Sequence, residues 1–255
     1  MKKYLCILLI VIYFFETVLC GYLIAVNKKQ IQIIDTLSNQ MEDMEETLAL
    51  YQSTVVDTAA LDFLASCHED GYHYLAIGNS ITKCYADNEI WRDEYGMAAS
   101  SVEKDFYHLV LDYLWKKEGQ VNSAAVLFYM WEIVRTNRAE TYSLLEPYLN
   151  DKIDLITIQL GENATELSTF EEDMENLILH VKKMCPETRI ILIGDFWEYE
   201  DRDVVKEAVA ERCGVDYISL EQIKDKADYQ CGIGTIIEDG RSASNSSWRS
   251  SHSSK

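Results

Sequence analysis

The chain has 255 residues, 48% of them hydrophobic, with 43 acidic against 23 basic side chains and a formal net charge of −20. That acidity argues against a nucleic-acid backbone or an anionic membrane surface as the main partner, because either would need a basic face. Only two prolines and 11 glycines occur, so general disorder is not the compositional reading, and the length suits one ordinary domain beyond an N-terminal segment.

Residues 4–26 read YLCILLIVIYFFETVLCGYLIAV, between Lys2-Lys3 and Lys28-Lys29. About 20 apolar residues span a hydrocarbon core as a helix, whereas a secretory apolar region runs roughly 7–15. Residues 1–28 are therefore predicted to be a transmembrane signal-anchor, with the rest of the chain outside the cytoplasm at the cell membrane. Glu16 is costly at mid-membrane unless protonated, paired or displaced toward an interface. Val18-Leu19-Cys20-Gly21 leaves a cleaved leader as the alternative, although Leu19 is bulky where a small residue is expected.

Residues 29–66 are predicted to form an amphipathic helical stalk. Ile34, Leu37, Met41, Met44, Leu48, Tyr51 and Val55 follow one another in steps of three and four, the pattern of a heptad seam. Two readings stay open: a coiled coil that makes a homodimer through residues 34–55, or a helix that packs on its own domain.

From 67 to 240 short aliphatic runs alternate with amphipathic stretches. Strands are predicted at Tyr74–Ile77, Ser123–Tyr129, Asp154–Leu160, Arg189–Ile193 and Val215–Ile218, and helices at Val102–Lys117, Arg138–Leu149, Thr169–Met184 and Asp203–Cys213. Leu177, Val181 and Met184 mark the buried side of the third helix. Apolar strands separated by such helices call for a parallel sheet covered on both faces. Right-handed crossovers gather the carboxyl ends of the strands at one edge, where ligands bind. Gly78, Gly161 and Gly194 all fall at that edge.

Gly78-Asn79-Ser80-Ile81-Thr82 follows the first strand directly. A serine on such a turn can expose its hydroxyl while backbone N–H groups point into the same space, the two needs of acyl transfer. Gly161-Glu162-Asn163 closes the clearest strand and brings a side-chain amide able to donate to an oxyanion. Taken singly, each also reads as ordinary turn or cap chemistry. Asp195 and Trp197, after the fourth strand, reach the same edge.

Together the two motifs resemble the SGNH (GDSL-like) hydrolase family. Its first block is Gly-Asp-Ser-(Leu/Ile)-(Thr/Ser), here Gly78-Asn79-Ser80-Ile81-Thr82; its third is Gly-x-Asn-(Asp), here Gly161-Glu162-Asn163-Ala164. Ile158–Asn163, with Trp131-Glu132 upstream, is similar to a membrane-anchored bacterial branch of unassigned substrate. The resemblance spans about 70 to 240. It implies a three-layer flavodoxin-like fold and a serine nucleophile. It also implies an oxyanion hole from the Ser80 N–H, a second-block glycine N–H and the Asn163 amide, without metal or cofactor.

Two departures stand out. No glycine follows the second strand, so a backbone N–H from residues 128–131 is the substitute. The family's closing Asp-x-x-His has no counterpart, because residues 241–255 form a low-complexity tail with no Asp or Glu. His252 is the one histidine near the expected place; His68 and His73 precede the first strand, and His108 and His180 fall within helices. Seven scattered cysteines with no C-x-x-C pair read as buried hydrophobes, with a Cys213–Cys231 disulfide left open.

The resulting expectation is a serine esterase that hydrolyses a small O-acyl ester, such as an O-acetyl group on a carbohydrate, through an acyl-enzyme at Ser80. Ser80, Asn163, Gly161 and His252 are the catalytic candidates, and Asn79, Glu162, Asp195 and Trp197 the substrate-binding ones. The rivals are a catalytically inactive SGNH-like binding or assembly module tethered to a membrane, and an O-acyltransferase.

Overall fold

The computed structural model describes residues 28–32, 58–84, 95–97, 99–197, 202–224 and 226. The chain divides into two units, residues 1–54 and 55–255. Of the first, residues 28–32 are described and are helical. The apolar segment 4–26 and the heptad seam 34–55 lie outside the described residues. Among the described residues no helix is long and apolar enough to cross a membrane.

The second unit runs α1 (Thr58–Ser66), β1 (Tyr72–Gly78), α2 (Phe106–Glu118), β2 (Val121–Leu127), α3 (Met130–Ile133), α4 (Tyr142–Leu145), β3 (Leu155–Gln159), α5 (Phe170–Met184), β4 (Arg189–Ile193), α6 (Arg202–Cys213) and β5 (Asp216–Ile218). The predicted helix at 138–149 is broken: 3-10 turns at Arg138–Thr141 and Glu146–Tyr148 flank the four residues of α4. Pro147 within the second turn lacks the N–H that a continuous α-helix would use there. Residues 58–66, at the end of the segment read as a stalk, form α1, which buries Ala60 and Phe63 in the domain core.

All five strands are parallel, in the order β2-β1-β3-β4-β5. Alternation along β1 sends Leu75 and Ile77 to one face and Tyr74 and Ala76 to the other. The first pair joins Ile156, Ile158, Ile190 and Leu192 beneath α5 and α6, while the second meets Leu155 and Leu114 of α2. Both faces are therefore covered, as a parallel sheet requires. On α5 the buried stripe is Phe170, Met174, Leu177, Ile178 and Val181; Met184, expected on it, is exposed because the helix ends there. Glu171, Glu172 and Asp173 in its first turn and Lys182 and Lys183 in its last complement the helix dipole.

This order sends the chain from β1 outward to β2, then back across β1 to β3. The connections after β1 and β3 thus leave the sheet in opposite directions. A crevice at the carboxyl ends of β1 and β3 follows, the place where open α/β sheets bind ligands. Gly78 stands in register with Gln159 at that point.

Candidate active site

The loop after β1 turns immediately, with Thr82 and Lys83 N–H groups both donating to the Asn79 carbonyl, at 3.0 and 3.1 Å. Gly78 permits the turn: a Cβ there would lie 2.0 Å from Thr82 Oγ1 and 3.0 Å from the Gln159 carbonyl. Ser80 sits on the turn, half-buried, and its carbonyl accepts from Met97 N at 2.8 Å. Among the described residues no hydrogen bond reaches its hydroxyl.

Asn79 beside it is fully buried. Its Oδ1 accepts from Ile81 N at 2.9 Å, while Nδ2 donates to Glu132 Oε1 at 3.1 Å and to Glu162 Oε2 at 2.7 Å. The flanking carboxylates explain the amide where the family motif carries Asp: both neighbours accept, so the group between them must donate. Asn79 and Glu162 were expected against substrate; both instead form the floor beneath the loops. Glu162 is buried, and its Oε1 accepts from Gln159 Nε2 at 2.7 Å and Phe196 N at 2.9 Å.

Glu132, fully buried at the end of α3, is the hub. Besides Asn79 it accepts from Gly161 N, from Asn163 Nδ2 at 2.6 Å and, more weakly, from Asn163 N at 3.5 Å. The Gly161 N–H is thus engaged and does not face the crevice. Gly161 has φ +140°, and a Cβ there would lie 2.6 Å from Asp195 Oδ1, so only glycine suits the position. Asn163 is half-buried and keeps its second amide N–H outside this contact.

Asp195, expected against substrate, is likewise fully buried in the floor. Its Oδ2 accepts from Arg202 Nε at 2.6 Å and its Oδ1 from Lys206 Nζ, and Lys206 also donates to the Ile193 carbonyl at 3.1 Å. Three carboxylates and two cations therefore lie beneath the crevice. Burial pushes Glu132 upward and Glu162 up to about 7; Lys206 opposes the Glu162 shift, while Asp195 and Glu132 add to it. Trp197 is half-buried and edge-on to Phe196, with centroids 5.0 Å apart.

The substitute for the second-block glycine is narrowed. Phe128 N donates to the Gly78 carbonyl at 2.7 Å and Trp131 N to Phe128 O, so neither of these two N–H groups of that stretch is the substitute. His252 lies outside the described residues. His68 precedes β1, at the end away from Ser80. His73 contacts Ser66 O at 3.3 Å and Asp154 at 3.4 Å, and His180 pairs with Glu146 at 3.2 Å. His108 Nδ1 lies 2.8 Å from both oxygens of Asp105, which also caps α2. A groove of about 1080 Å³ runs along the open edge of β2, with Thr82, Lys83 and His108 in its wall; Ser80 is not part of its lining.

Sequence reasoning missed Arg202 and Lys206, and quoted Glu132 only as a motif neighbour. A signal for the lysine existed: Lys206 shares the buried face of α6 with Val209, Ala210 and Cys213, three, four and seven residues on. Cys67, Cys84, Cys185 and Cys213 are buried free thiols, as small apolar residues would be; Cys231 lies outside the described residues.

No protein-family model and no curated protein matches the sequence. Solved structures similar to the chain include two proteins named as GDSL-like lipases. One, from Bacteroides ovatus, is 15% identical over 62% of this chain and 89% of that one, with a TM-score of 0.45. The other, from Bacteroides uniformis, is 16% identical over 61% and 86%, also at 0.45. A family two carbohydrate esterase from Clostridium thermocellum is 15% identical over 58% and 53%, at 0.40.

Proposed function

We propose that the chain is an SGNH-type serine esterase with Ser80 as nucleophile and Asn163 as oxyanion donor. One observation carries the reading: at the switch point between β1 and β3, the Ser80 and Asn163 loops lie side by side and are tied to one buried carboxylate, Glu132. Ser80 Oγ attacks the acyl carbonyl carbon as its proton passes to a base. The oxyanion then takes hydrogen bonds from the Ser80 N–H and the free Asn163 amide hydrogen. Collapse expels the alcohol, which recovers the proton, and water releases the acid from the acyl-enzyme. His252 is the base this reading nominates.

The substrate class is a small O-acyl ester, with an acetyl group on a carbohydrate as the specific expectation. Anchoring by residues 1–28, placement of the domain outside the cytoplasm and dimerisation through 34–55 belong to the same proposal. Turnover of p-nitrophenyl acetate by the full chain, abolished in Ser80→Ala, is the expected result; turnover equal in the two proteins would refute it.

The rival reading, an inactive binding or assembly module on the same fold, is favoured by one observation. None of the four described histidines makes a hydrogen bond to Ser80, since His73, His108 and His180 are engaged elsewhere and His68 precedes β1.

A further inference from the structure

We propose that Glu132 is a positioning residue that sets the Asn163 amide as an oxyanion donor and locks its loop to the nucleophile turn. The inference rests on the esterase reading and adds to it a residue that touches no substrate.

The geometry is specific. Asn163 Nδ2 donates to Glu132 Oε2 at 2.6 Å, while Oε1 accepts from Asn79 Nδ2 at 3.1 Å and from Gly161 N. These partners come from the loops after β1 and β3, and Glu132 comes from α3 after β2. One side chain therefore joins the three connections that meet at the crevice. Every contact it makes is with an N–H donor, so both of its oxygens act as acceptors. The bond also fixes the sense of the Asn163 amide, since the flipped form would set oxygen against oxygen.

An amide held by one hydrogen keeps its other hydrogen in the same plane, at a fixed direction. An oxyanion donor is useful to the extent that it is already aimed before charge develops. A freely rotating Asn163 would have to be ordered during the reaction, and its contribution to the rate would fall. A carboxyl group suits the place, because its two acceptor oxygens let one buried side chain hold two loops at once.

Glu132→Gln keeps the volume but replaces one acceptor with a donor, which then faces an N–H. Four full-length proteins are compared on p-nitrophenyl acetate: wild type, Glu132→Gln, Asn163→Ala and the double variant. Loss of one oxyanion donor costs roughly 10²–10³ in kcat, so Asn163→Ala is expected to fall in that range. Glu132→Gln is expected to lose at least about tenfold in kcat with KM changed less than about threefold, the pattern of a transition-state interaction. The double variant is expected to be no slower than Asn163→Ala, because both changes remove one function. Losses that multiply, or a Glu132→Gln enzyme with wild-type kcat, would overturn the proposal.

A second measurement does not depend on Glu132→Gln folding or on turnover. In wild-type chain labelled with ¹⁵N-asparagine, the Asn163 side-chain pair is identified by its absence from Asn163→Ala. One slowly exchanging, strongly shifted hydrogen is expected; two rapidly exchanging, averaged hydrogens would overturn the positioning claim. Absence of Ser80-dependent turnover in the wild type would sink the esterase reading and the catalytic role of Glu132 together, an outcome distinct from normal Ser80 chemistry with an unaffected Glu132→Gln.

Discussion

Asn79 Nδ2 lies 2.7 Å from Glu162 Oε2, so the residue before the proposed nucleophile donates to the residue before the proposed oxyanion donor. The contact joins the ends of β1 and β3 beneath the crevice. Aspartate at this place would set a third carboxylate between Glu132 and Glu162. Asn79→Asp is therefore expected to destabilise the domain by about 3–5 kcal/mol near neutral pH, the cost of a broken buried polar network with an unpaired charge. Urea denaturation measures it. A loss under about 1 kcal/mol would mean that the two carboxylates do not act on residue 79 as described.

Lys206 is fully buried against Asp195 and the Ile193 carbonyl. Lys206→Met keeps an unbranched apolar stem and removes the charge, leaving Asp195 with Arg202 alone. Removing one partner of a buried pair costs about 3–5 kcal/mol, and that loss is expected in urea denaturation. The same change should raise the Glu162 pKa further, because Lys206 lowers it in the native protein. A variant as stable as wild type would show that the cation is not needed beneath the sheet edge.

Stability should fall as pH rises through the range set by Glu162. Its folded pKa, pushed up to about 7, lies above the unfolded value of 4.5. The folded state therefore holds the proton where the unfolded state has lost it. The contribution is complete below the unfolded value and is lost between about 4.5 and 7. The shift amounts to a change on the order of 3 kcal/mol across that window. Glu132, also raised by burial, acts in the same direction. Asp203 has the opposite sign: paired with Lys224 at 2.5 Å, its pKa is lowered, and its contribution is lost as pH falls through the folded value. Thermal melts from pH 4.5 to 7.5 should show the decline in wild type and a shallower one in Glu162→Gln. Equal slopes would remove Glu162 as the cause.

Gly161→Ala should both strain and displace its loop. The φ of +140° is unsuited to an L side chain, and the added Cβ would press on Asp195 and Lys206. A loss of about 2–4 kcal/mol in stability is expected from backbone strain and crowding together, with a marked fall in any Ser80-dependent turnover. Wild-type stability in a melt would contradict the crowding.

β1, β3 and β4 were legible because each is a short apolar run ending at or next to glycine, the signature of a strand buried on both faces of a parallel sheet. The carboxyl edge was legible for the same reason, and with it the position of Ser80 and Asn163 on the loops there. The polar floor was not. Glu132 meets Asn79, Gly161 and Asn163 across 53, 29 and 31 residues, separations that no local pattern encodes. Asn79, Glu162 and Asp195 were placed at that edge, where their side chains are buried beneath the loops. A polar residue at a strand end looks the same in sequence whether it faces ligand or supports the loop that does. Arg202 and Lys206 escaped because a basic residue on an amphipathic helix is ordinarily a solvated one, and here Asp195 draws both inward.

The most direct test of the account is the site of covalent labelling by a fluorophosphonate. The full-length chain is treated with the probe, digested, and the modified residue is located by mass spectrometry. A single adduct on the peptide that contains Ser80, absent from Ser80→Ala, is the predicted result. No adduct, or an adduct on another serine that persists in Ser80→Ala, would contradict the assignment of Ser80 as an activated nucleophile.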